Sequence, residues 1–431
     1  MFKTKELWIT SFALFSLFFG AGNLILPPQL GFRAGPDWWL VALGFALSAV
    51  LIPILGIRAH GRLQGTMFDF AKKVSPTFSL VYCILVYVIS ISLPSPRTAS
   101  VTHEMAIAPL FNSAPLLSSF VYFVLVLVFA LNRSKILNII GKLMTPAILL
   151  ILVAIIGIII YVEPFTFGAA AIANPLSYAV IEGYQTFDAI GAVVVGGVII
   201  VSINLKNTGK DYAHKKKLIT NAGWMAGLAL FLVYAGLILS AALMHTHFED
   251  DISRTDLLQQ MSLITLGNTG KFIFGILVSL ACFTTAVGIV AGTGDFVKSR
   301  FADSQKAYII TVIVGCILGV LMGQLNVGYI INVALPALMF IYPITIVLIL
   351  LNVLPDKWTT AKVFQAVVIA TILFSVPDFL SSLGLAENME SLNQYIPLSS
   401  VQMGWIVPAM FTLLVANLLK YKSAKGTKNS V

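Results

Sequence analysis

The sequence contains few charged residues and few residues of the kinds that bind metals or act as nucleophiles. Of 431 residues, only 10% are charged, and there are 3 cysteines and 5 histidines; roughly a quarter of the residues in a soluble domain are charged. Cys83, Cys282 and Cys316 lie singly in apolar stretches, so they form no disulfide or metal pattern and are expected to be small buried side chains. No His or Cys ligand cluster and no nucleophile–base set is evident, and we expect no enzymatic activity.

Motifs of energy-driven pumps and of channels are missing as well. There is no Gly-rich phosphate loop followed by Lys-Ser/Thr and no hydrophilic stretch long enough for an ATPase domain, so we expect transport without ATP hydrolysis and without an ATPase subunit. No Thr-Val-Gly-Tyr-Gly filter motif occurs, which argues against a channel. The first apolar stretch has no small-residue cleavage site, so we expect it to remain as a working helix.

Long apolar runs are what the chain does contain. Apolar residues make up 58% of the sequence, in runs of around 20 residues that can each cross about 30 Å of hydrocarbon as a helix. These runs lack the alternation of barrel strands, so helices are predicted. We therefore predict an all-α membrane protein, a single domain over residues 1–431 with about twelve spans, numbered in chain order: 7–30, 38–58, 78–108, 115–131, 136–162, 178–205, 218–244, 270–297, 307–325, 328–352, 362–383 and 399–419.

The net charge of +9 is explained by topology. With a cytoplasmic N-terminus, 23 of the 27 Lys and Arg residues fall in cytoplasmic segments, while the outer loops are acidic, as at Glu249-Asp250-Asp251. This is the positive-inside asymmetry, and it predicts that both termini are cytoplasmic. The lipid bilayer is therefore the expected partner of this chain, and nucleic acid is not.

Two spans are interrupted at corresponding places. Span one carries Gly20-Ala21-Gly22-Asn23 at its middle, and span six meets Asp188 at membrane depth before Gly191, Gly196 and Gly197. Interrupted segments in the two halves of a transporter indicate its binding site. We predict two inverted five-helix repeats, at about 7–162 and 178–352, followed by two extra helices at about 362–419. The alternative is that these glycines only allow close helix packing.

The motifs at these interruptions carry a family resemblance. The sequence resembles the bacterial branched-chain amino acid:cation symporter family at Phe18–Pro28, Pro94–Thr98, Ile107–Pro109 and Glu182–Ala189. The resemblance implies the amino acid–polyamine–organocation superfamily, a leucine-transporter-like fold and the bacterial cytoplasmic membrane. It also implies alternating-access import of leucine, isoleucine and valine with Na⁺, or with H⁺ in some members. An antiporter of the same superfamily that does not use Na⁺ is the nearest rival.

An amino acid substrate is a zwitterion, and its carboxylate needs donors away from water. The backbone amides of Ala21 and Gly22, at the start of a half-helix, can supply them, and Gly22 permits close approach; the resemblance implies this role for the same amides. Carbonyls freed around Phe187, and the Asp188 carboxylate, are expected to attract the ammonium. Phe187 is a candidate wall for the aliphatic side chain, or plain helix packing.

A sodium site is predicted between spans one and eight. Ala281, Thr284 and Thr285 are spaced i, i+3, i+4, which places them on one helix face, and their oxygens suit a hard cation. The resemblance adds the carbonyls of Ser16 and Phe19. The alternative is that both threonine hydroxyls bond to carbonyls of their own helix.

Asn23 and Asp188 form a further predicted pair. The resemblance implies that these positions bind a second cation next to the substrate carboxylate. A carboxylate in a span interior costs several kcal/mol, roughly 2.5–3.5 on insertion scales, so it is a functional candidate. Its partner is left open among a second Na⁺, a proton and the substrate ammonium.

Several other polar residues have weaker assignments. Arg97 and Glu104, late in span three, are predicted to form an ion pair or a gate, with His103 beside them as a group that titrates near neutral pH. Ser253–Met261 is predicted to be a short outer helix or lid. Glu182 and Asp378 are expected either to have a functional role inside the bundle or to extend their carboxylates to the membrane interface.

Overall fold

The computed structural model describes residues 4–132, 145–194, 196, 212–385 and 393–428. Within these ranges every predicted span is represented by a helix, and no strand occurs. The predicted positions 136–144 of span five, and 195 and 197–205 of span six, including Gly197, lie outside the described residues.

Each span of the first half begins or breaks where its sequence contains proline or glycine. Pro76, Pro94 and Pro115 each start a helix, where the missing N–H costs nothing. Span three is kinked at Leu93, which precedes the helix that starts at Pro94. Spans one to five are Thr4–Phe18 with Ala21–Ala34; Trp38–Ala46 with Ile52–Leu63, joined by a π-helical turn; Pro76–Ser92 with Pro94–Thr102; Pro115–Leu131; and Thr145–Val162.

The second half follows the same pattern and ends in two further helices. Spans six to twelve are Pro175–Tyr184 with the helical residues 188–194; Tyr212–Leu243; the inner part of Arg254–Arg300; Gln305–Met322; Val327–Val353; Ala361–Leu380; and Ile406–Lys428. Span twelve starts seven residues later than predicted, because Ser399–Val401 forms a separate 3-10 turn. The all-α class with interrupted spans one and six is confirmed, whereas the repeat boundaries stay a prediction.

The outer helix predicted before span eight is confirmed. It is continuous in hydrogen bonding with that span, but Gly267 (φ +66°) breaks the helical path between them. A left-handed φ is strained for residues with a Cβ, so glycine suits this kink. The outer helix can therefore lie at an angle to span eight and cover that end of the bundle.

The interior is apolar, and so is much of the perimeter. The three cysteines are buried, as predicted. Many large apolar side chains on the perimeter are exposed, among them Leu125, Val128, Ile310, Leu373 and Phe411. A surface of this kind belongs in lipid. Among the described residues, seven helical segments are long and apolar enough to cross a membrane, and shorter apolar helices accompany them.

Two contacts outside the centre of the bundle bear on stability. Gly31 lies so close to span seven that a Cβ on it would be 1.9 Å from the Ile238 carbonyl oxygen.

On the predicted cytoplasmic side, Arg62 donates to the exposed Asp356 at 2.6 Å, and Lys73 donates at 3.2 Å. The hydrogen bond from Arg62, followed by that from Lys73, lowers the pKa of the Asp356 carboxyl from its ordinary value of 3.8.

Candidate functional site

The interruptions of spans one and six lie where the sequence predicts them. Span one stops at Phe18 and restarts at Ala21. Span six stops at Tyr184 and resumes at Asp188, and Phe187 has φ +63°. A left-handed φ is uncommon for a residue other than glycine, and such conformations concentrate at functional sites.

Asn23 connects the two interruptions. Its Nδ2 donates to Oδ2 of Asp188 at 2.5 Å and to the hydroxyl of Tyr234 at 2.5 Å, while its Oδ1 accepts from the Gly20 amide at 3.2 Å. Asn23 and Asp188 are both buried. Asn23 and Asp188 are thus close together, as predicted. The side-chain nitrogen of Asn23 faces the carboxylate, and its side-chain oxygen faces the backbone amide of Gly20.

The amides of Ala21 and Gly22 lie in the first turn of the outer half of span one. Helical N–H groups in a first turn have no partner within their own helix. A Cβ on Gly22 would lie 2.6 Å from Nη2 of Arg97 and 3.1 Å from the Gln185 carbonyl oxygen. Glycine at position 22 therefore lets span one approach both span three and the interruption of span six.

Arg97 does not pair with Glu104, and that prediction is wrong. Its Nη1 donates to the carbonyl oxygen of Gln185 at 2.7 Å, and its guanidinium lies 5.3 Å from the centre of the Phe187 ring. Only 2% of Arg97 is exposed. The predicted partner is seven residues further along the same span, about two turns away, whereas the actual neighbours lie on span six.

Glu104 and His103 instead belong to the outer part of the structure. The Glu104 carboxylate accepts from Thr255 Oγ1 at 2.8 Å and from the Val327 amide at 2.9 Å. His103 Nδ1 lies 2.9 Å from Ser118 Oγ. The contacts of Glu104 connect span three to the outer helix and to span ten, and the contact of His103 connects it to span four.

Glu182 and Asp378 have partners inside the protein rather than at the membrane interface. Arg254 of the outer helix donates to both carboxylate oxygens of Glu182, at 2.7 and 3.3 Å. Asp378 is buried and accepts from the Gly404 amide at 3.1 Å. A cavity of about 640 Å³ lies beside the outer helix, and its lining includes Arg33, Glu104 and Arg254.

The predicted span-eight group lies next to the interruption of span one. A Cβ on Gly20 would be 3.0 Å from Thr285 Oγ1. The hydroxyls of Thr284 and Thr285 both donate to the Ala281 carbonyl, at 2.9 and 3.1 Å, which is the alternative arrangement considered from the sequence. Each hydroxyl oxygen that donates in this way keeps lone pairs for a cation.

Ser16 and Phe19 lie at the end of the first half-helix of span one, just before Gly20. Near the end of the first half-helix the Phe19 amide donates to the Phe15 carbonyl at 2.9 Å, and the Gly20 amide donates to the Phe18 carbonyl at 3.0 Å. The carbonyls of Ser16 and Phe19 belong to the same terminus, where oxygens lose their helical partners. The structure thus places Thr285 against Gly20, next to Phe19, whereas a sodium site formed by all five residues stays a prediction.

Two further residues at the site were not predicted from the sequence. Tyr234 of span seven belongs to no recognisable sequence motif. It accepts a hydrogen bond from Asn23 and stacks on Phe19 with ring centres 6.3 Å apart. Gln185, in the interruption of span six, is buried, and its Oε1 has no hydrogen-bond partner among the described residues. The position of Gln185 beside Asp188 was the only signal that sequence could offer.

The comparisons with known proteins agree with this architecture. The branched-chain amino acid transport system 2 carrier protein of Pseudomonas aeruginosa is 31% identical over 426 residues, covering 96% of both chains. Solved structures with the same fold include a Na⁺-coupled sialic acid symporter, with a TM-score of 0.58, 11% identity and coverage of 95% of this chain and 90% of that one. Another is MhsT in complex with L-phenylalanine, with a TM-score of 0.56, 16% identity and coverage of 96% and 98%.

The family assignment rests on nearly the whole chain. The sequence profile described as "Branched-chain amino acid transport protein" matches residues 3–423, a range that includes both interruptions, the first eleven spans and most of span twelve. The resemblance seen in the sequence motifs is thereby confirmed. The chain is a multi-pass membrane transporter that belongs to the branched-chain amino acid transport protein family.

Proposed function

We propose that this protein imports leucine, isoleucine and valine together with Na⁺ by alternating access. The observation that carries the proposal is the buried link from Asn23 to Asp188, which joins the interruptions of spans one and six at one point. Polar backbone at membrane depth is tolerated where it lines a binding cavity, and the family membership supplies the class of substrate.

The substrate is expected to bind at these interruptions. The amides of Ala21 and Gly22 are available for the carboxylate, and the Asp188 carboxylate for the ammonium or for a cation. A pocket that holds the head group this way leaves the substrate side chain to meet apolar walls. One methylene changes binding by only ~1–3 kcal/mol, so valine, isoleucine and leucine should all be accepted.

Sodium coupling is supported by the position of Thr285 against Gly20 and by the neighbouring Thr284, whose hydroxyl donates to the same Ala281 carbonyl. Oxygen ligands from Ser16, Phe19, Ala281 and the two threonines would bind Na⁺ between spans one and eight. A cation there would hold the two spans together, and its arrival and departure would bias the equilibrium between conformations. Asn23 and Asp188 are proposed as a second cation site next to the substrate.

Proton coupling is the second candidate, and one contact favours it. Asn23 presents its amide nitrogen, not its oxygen, to Asp188, so a second cation at this pair would lack the Asn23 ligand unless the amide turned over. A proton on Asp188 would need no such change. A proton-coupled transporter would accumulate leucine under a pH gradient alone.

The protein is proposed to reside in the bacterial cytoplasmic membrane with both termini in the cytoplasm. The proposal draws on the positive-inside charge asymmetry and on the Pseudomonas relative. In this orientation the outer helix and the cavity beside Glu104 are extracellular.

The test is uptake of labelled leucine by proteoliposomes containing the purified protein. Accumulation should require an inward Na⁺ gradient and should be absent when K⁺ replaces Na⁺. Excess valine or isoleucine should compete, whereas lysine and glutamate should not. Accumulation that follows a pH gradient without Na⁺ would establish proton coupling instead, and exchange only against preloaded amino acid would establish antiport.

A further inference from the structure

Arg97 is a buried cation without a buried anion in contact with it. Among the described residues no carboxylate lies within 4.0 Å of its guanidinium. An uncompensated buried charge is costly unless it is paired or hydrogen-bonded. The Asp188 carboxylate attracts Arg97 electrostatically but does not contact the guanidinium. Charged residues within spans are uncommon and mark substrate pathways, so Arg97 can accept an anionic ligand in direct contact.

The guanidinium has one edge occupied and one edge unused. Nη1 donates to the Gln185 carbonyl oxygen, and the Phe187 ring lies 5.3 Å away. Nε is buried with no hydrogen-bond partner among the described residues, and Nη2 lies against Gly22. Nε and Nη2 form one edge of the planar group, with two parallel N–H donors that match the two oxygens of a carboxylate.

This edge lies where the half-helix amides of span one begin. Gly22 is the second residue of that half-helix, and Nη2 would be only 2.6 Å from a Cβ there. The first-turn amides favour an anion through their unsatisfied N–H groups and the helix dipole. Two independent groups of donors, one on span three and one on span one, therefore lie beside Gly22.

We propose that Arg97 binds the α-carboxylate of the transported amino acid, through Nε and Nη2, beside the amides of Ala21 and Gly22. The inference rests on the proposed import of amino acids and adds a substrate-binding residue from span three. Gln185 and Phe187 hold the guanidinium in place. The Asp188 carboxylate is then not needed near the substrate carboxylate as anything but a partner for positive charge, so it stays open to a cation or to the ammonium.

The proposal predicts that Arg97 distinguishes a carboxylate from a neutral carboxamide. Leucinamide keeps the side chain and ammonium of leucine and lacks its negative charge. Binding of each compound is measured as the concentration that gives half-maximal thermal stabilisation of the purified protein in Na⁺ buffer. Arg97→Gln should weaken leucine binding by at least about tenfold, as expected for loss of a charged bidentate contact, and should leave leucinamide binding unchanged or improved.

Arg300→Gln is the matched control. Arg300 is exposed at the inner end of span eight, and it also lies over an aromatic ring, 4.3 Å from the centre of Phe68. This variant should keep the wild-type preference for leucine over leucinamide. A residue with a purely structural role would change the binding of both compounds in parallel.

Arg97→Lys provides a second measurement if Arg97→Gln does not fold. Lysine keeps the charge and loses the paired donors, so leucine binding should weaken while leucinamide binding stays constant. An unchanged preference in Arg97→Gln, or equal losses for both compounds in Arg97→Lys, would overturn the role of Arg97. Failure of the wild-type protein to bind leucine would count against the proposed function itself.

Discussion

Asp188→Asn is the substitution that separates the possible partners of the buried carboxylate. It keeps the size of the side chain and removes its charge. In the structure the carboxylate accepts from Asn23 at 2.5 Å. A hydrogen bond to a charged group contributes about 1.5–3 kcal/mol and a neutral one about 0.5–1.5 kcal/mol, so the substitution weakens this link by roughly 1 kcal/mol, or about fivefold.

Effects larger than fivefold must come from the partner that the charge binds. If the partner is Na⁺, the Na⁺ concentration for half-maximal leucine uptake should rise more than about tenfold, with leucine still transported at high Na⁺. If it is the ammonium, leucine affinity should fall at every Na⁺ concentration. If it is a proton, the wild type should depend on pH and the variant should not. We expect the first outcome.

The assay is leucine uptake by proteoliposomes over a range of Na⁺ concentrations and pH values. Asp378→Asn is the control, because Asp378 is also a buried carboxylate in a span but accepts from the Gly404 amide. It should retain the Na⁺ and leucine dependence of the wild type. Full activity with unchanged ion dependence in Asp188→Asn would refute the reasoning and make Asp188 a structural residue.

Three further predictions concern the sodium site, packing and pH. The double replacement of Thr284 with Ala and Thr285 with Val should raise the Na⁺ concentration for half-maximal uptake at least about fivefold, which corresponds to ~1 kcal/mol. Leucine binding at saturating Na⁺ should be less affected. Unchanged Na⁺ dependence would exclude this site. Gly31→Ala should destabilise the protein by about 1–3 kcal/mol or more, because its Cβ meets backbone of span seven. Gly157→Ala adds a Cβ that meets no neighbouring helix within 4 Å, so in detergent it should melt at or slightly above the wild-type temperature; equal melting of the two variants would contradict the packing. Since the pKa of Asp356 is lowered, its ion pairs stabilise the fold fully above pH 3.8, and this contribution is lost as pH falls through the lowered pKa. Asp356→Asn should therefore melt slightly below the wild type at pH 7, and the difference should shrink as pH falls below 3.8; a constant difference would disprove the assignment.

The sequence predicts the helices well because each depends on local features. Span four runs from Pro115 to Leu131 as expected, and the interruption at Gly20 lies inside a glycine motif. Hydropathy, proline and glycine act over a few residues, so they can be recognised without a structure. The late start of span twelve shows the limit, because the short polar stretch Ser399-Ser400-Val401-Gln402 next to the apolar run was included in the span but forms a separate 3-10 turn.

Contacts between spans could not be predicted in the same way. Arg97 was assigned to Glu104 because both lie on one span, but its neighbours are Gln185 and Phe187 on another. Tyr234 contacts Asn23 only because span seven packs against span one. Such contacts depend on the rotation of each helix, and a uniformly apolar helix carries little sequence signal for that rotation.

The most direct test of the account is whether leucine itself drives Na⁺ across the membrane. Proteoliposomes with equal Na⁺ on both sides receive leucine outside, and entry of radioactive Na⁺ is followed together with entry of leucine. We predict that leucine induces Na⁺ entry in a fixed ratio, and that Asp188→Asn or the Thr284/Thr285 double variant disturbs that ratio. Leucine entry without any movement of Na⁺ would contradict the central claim that this protein is a sodium-coupled importer.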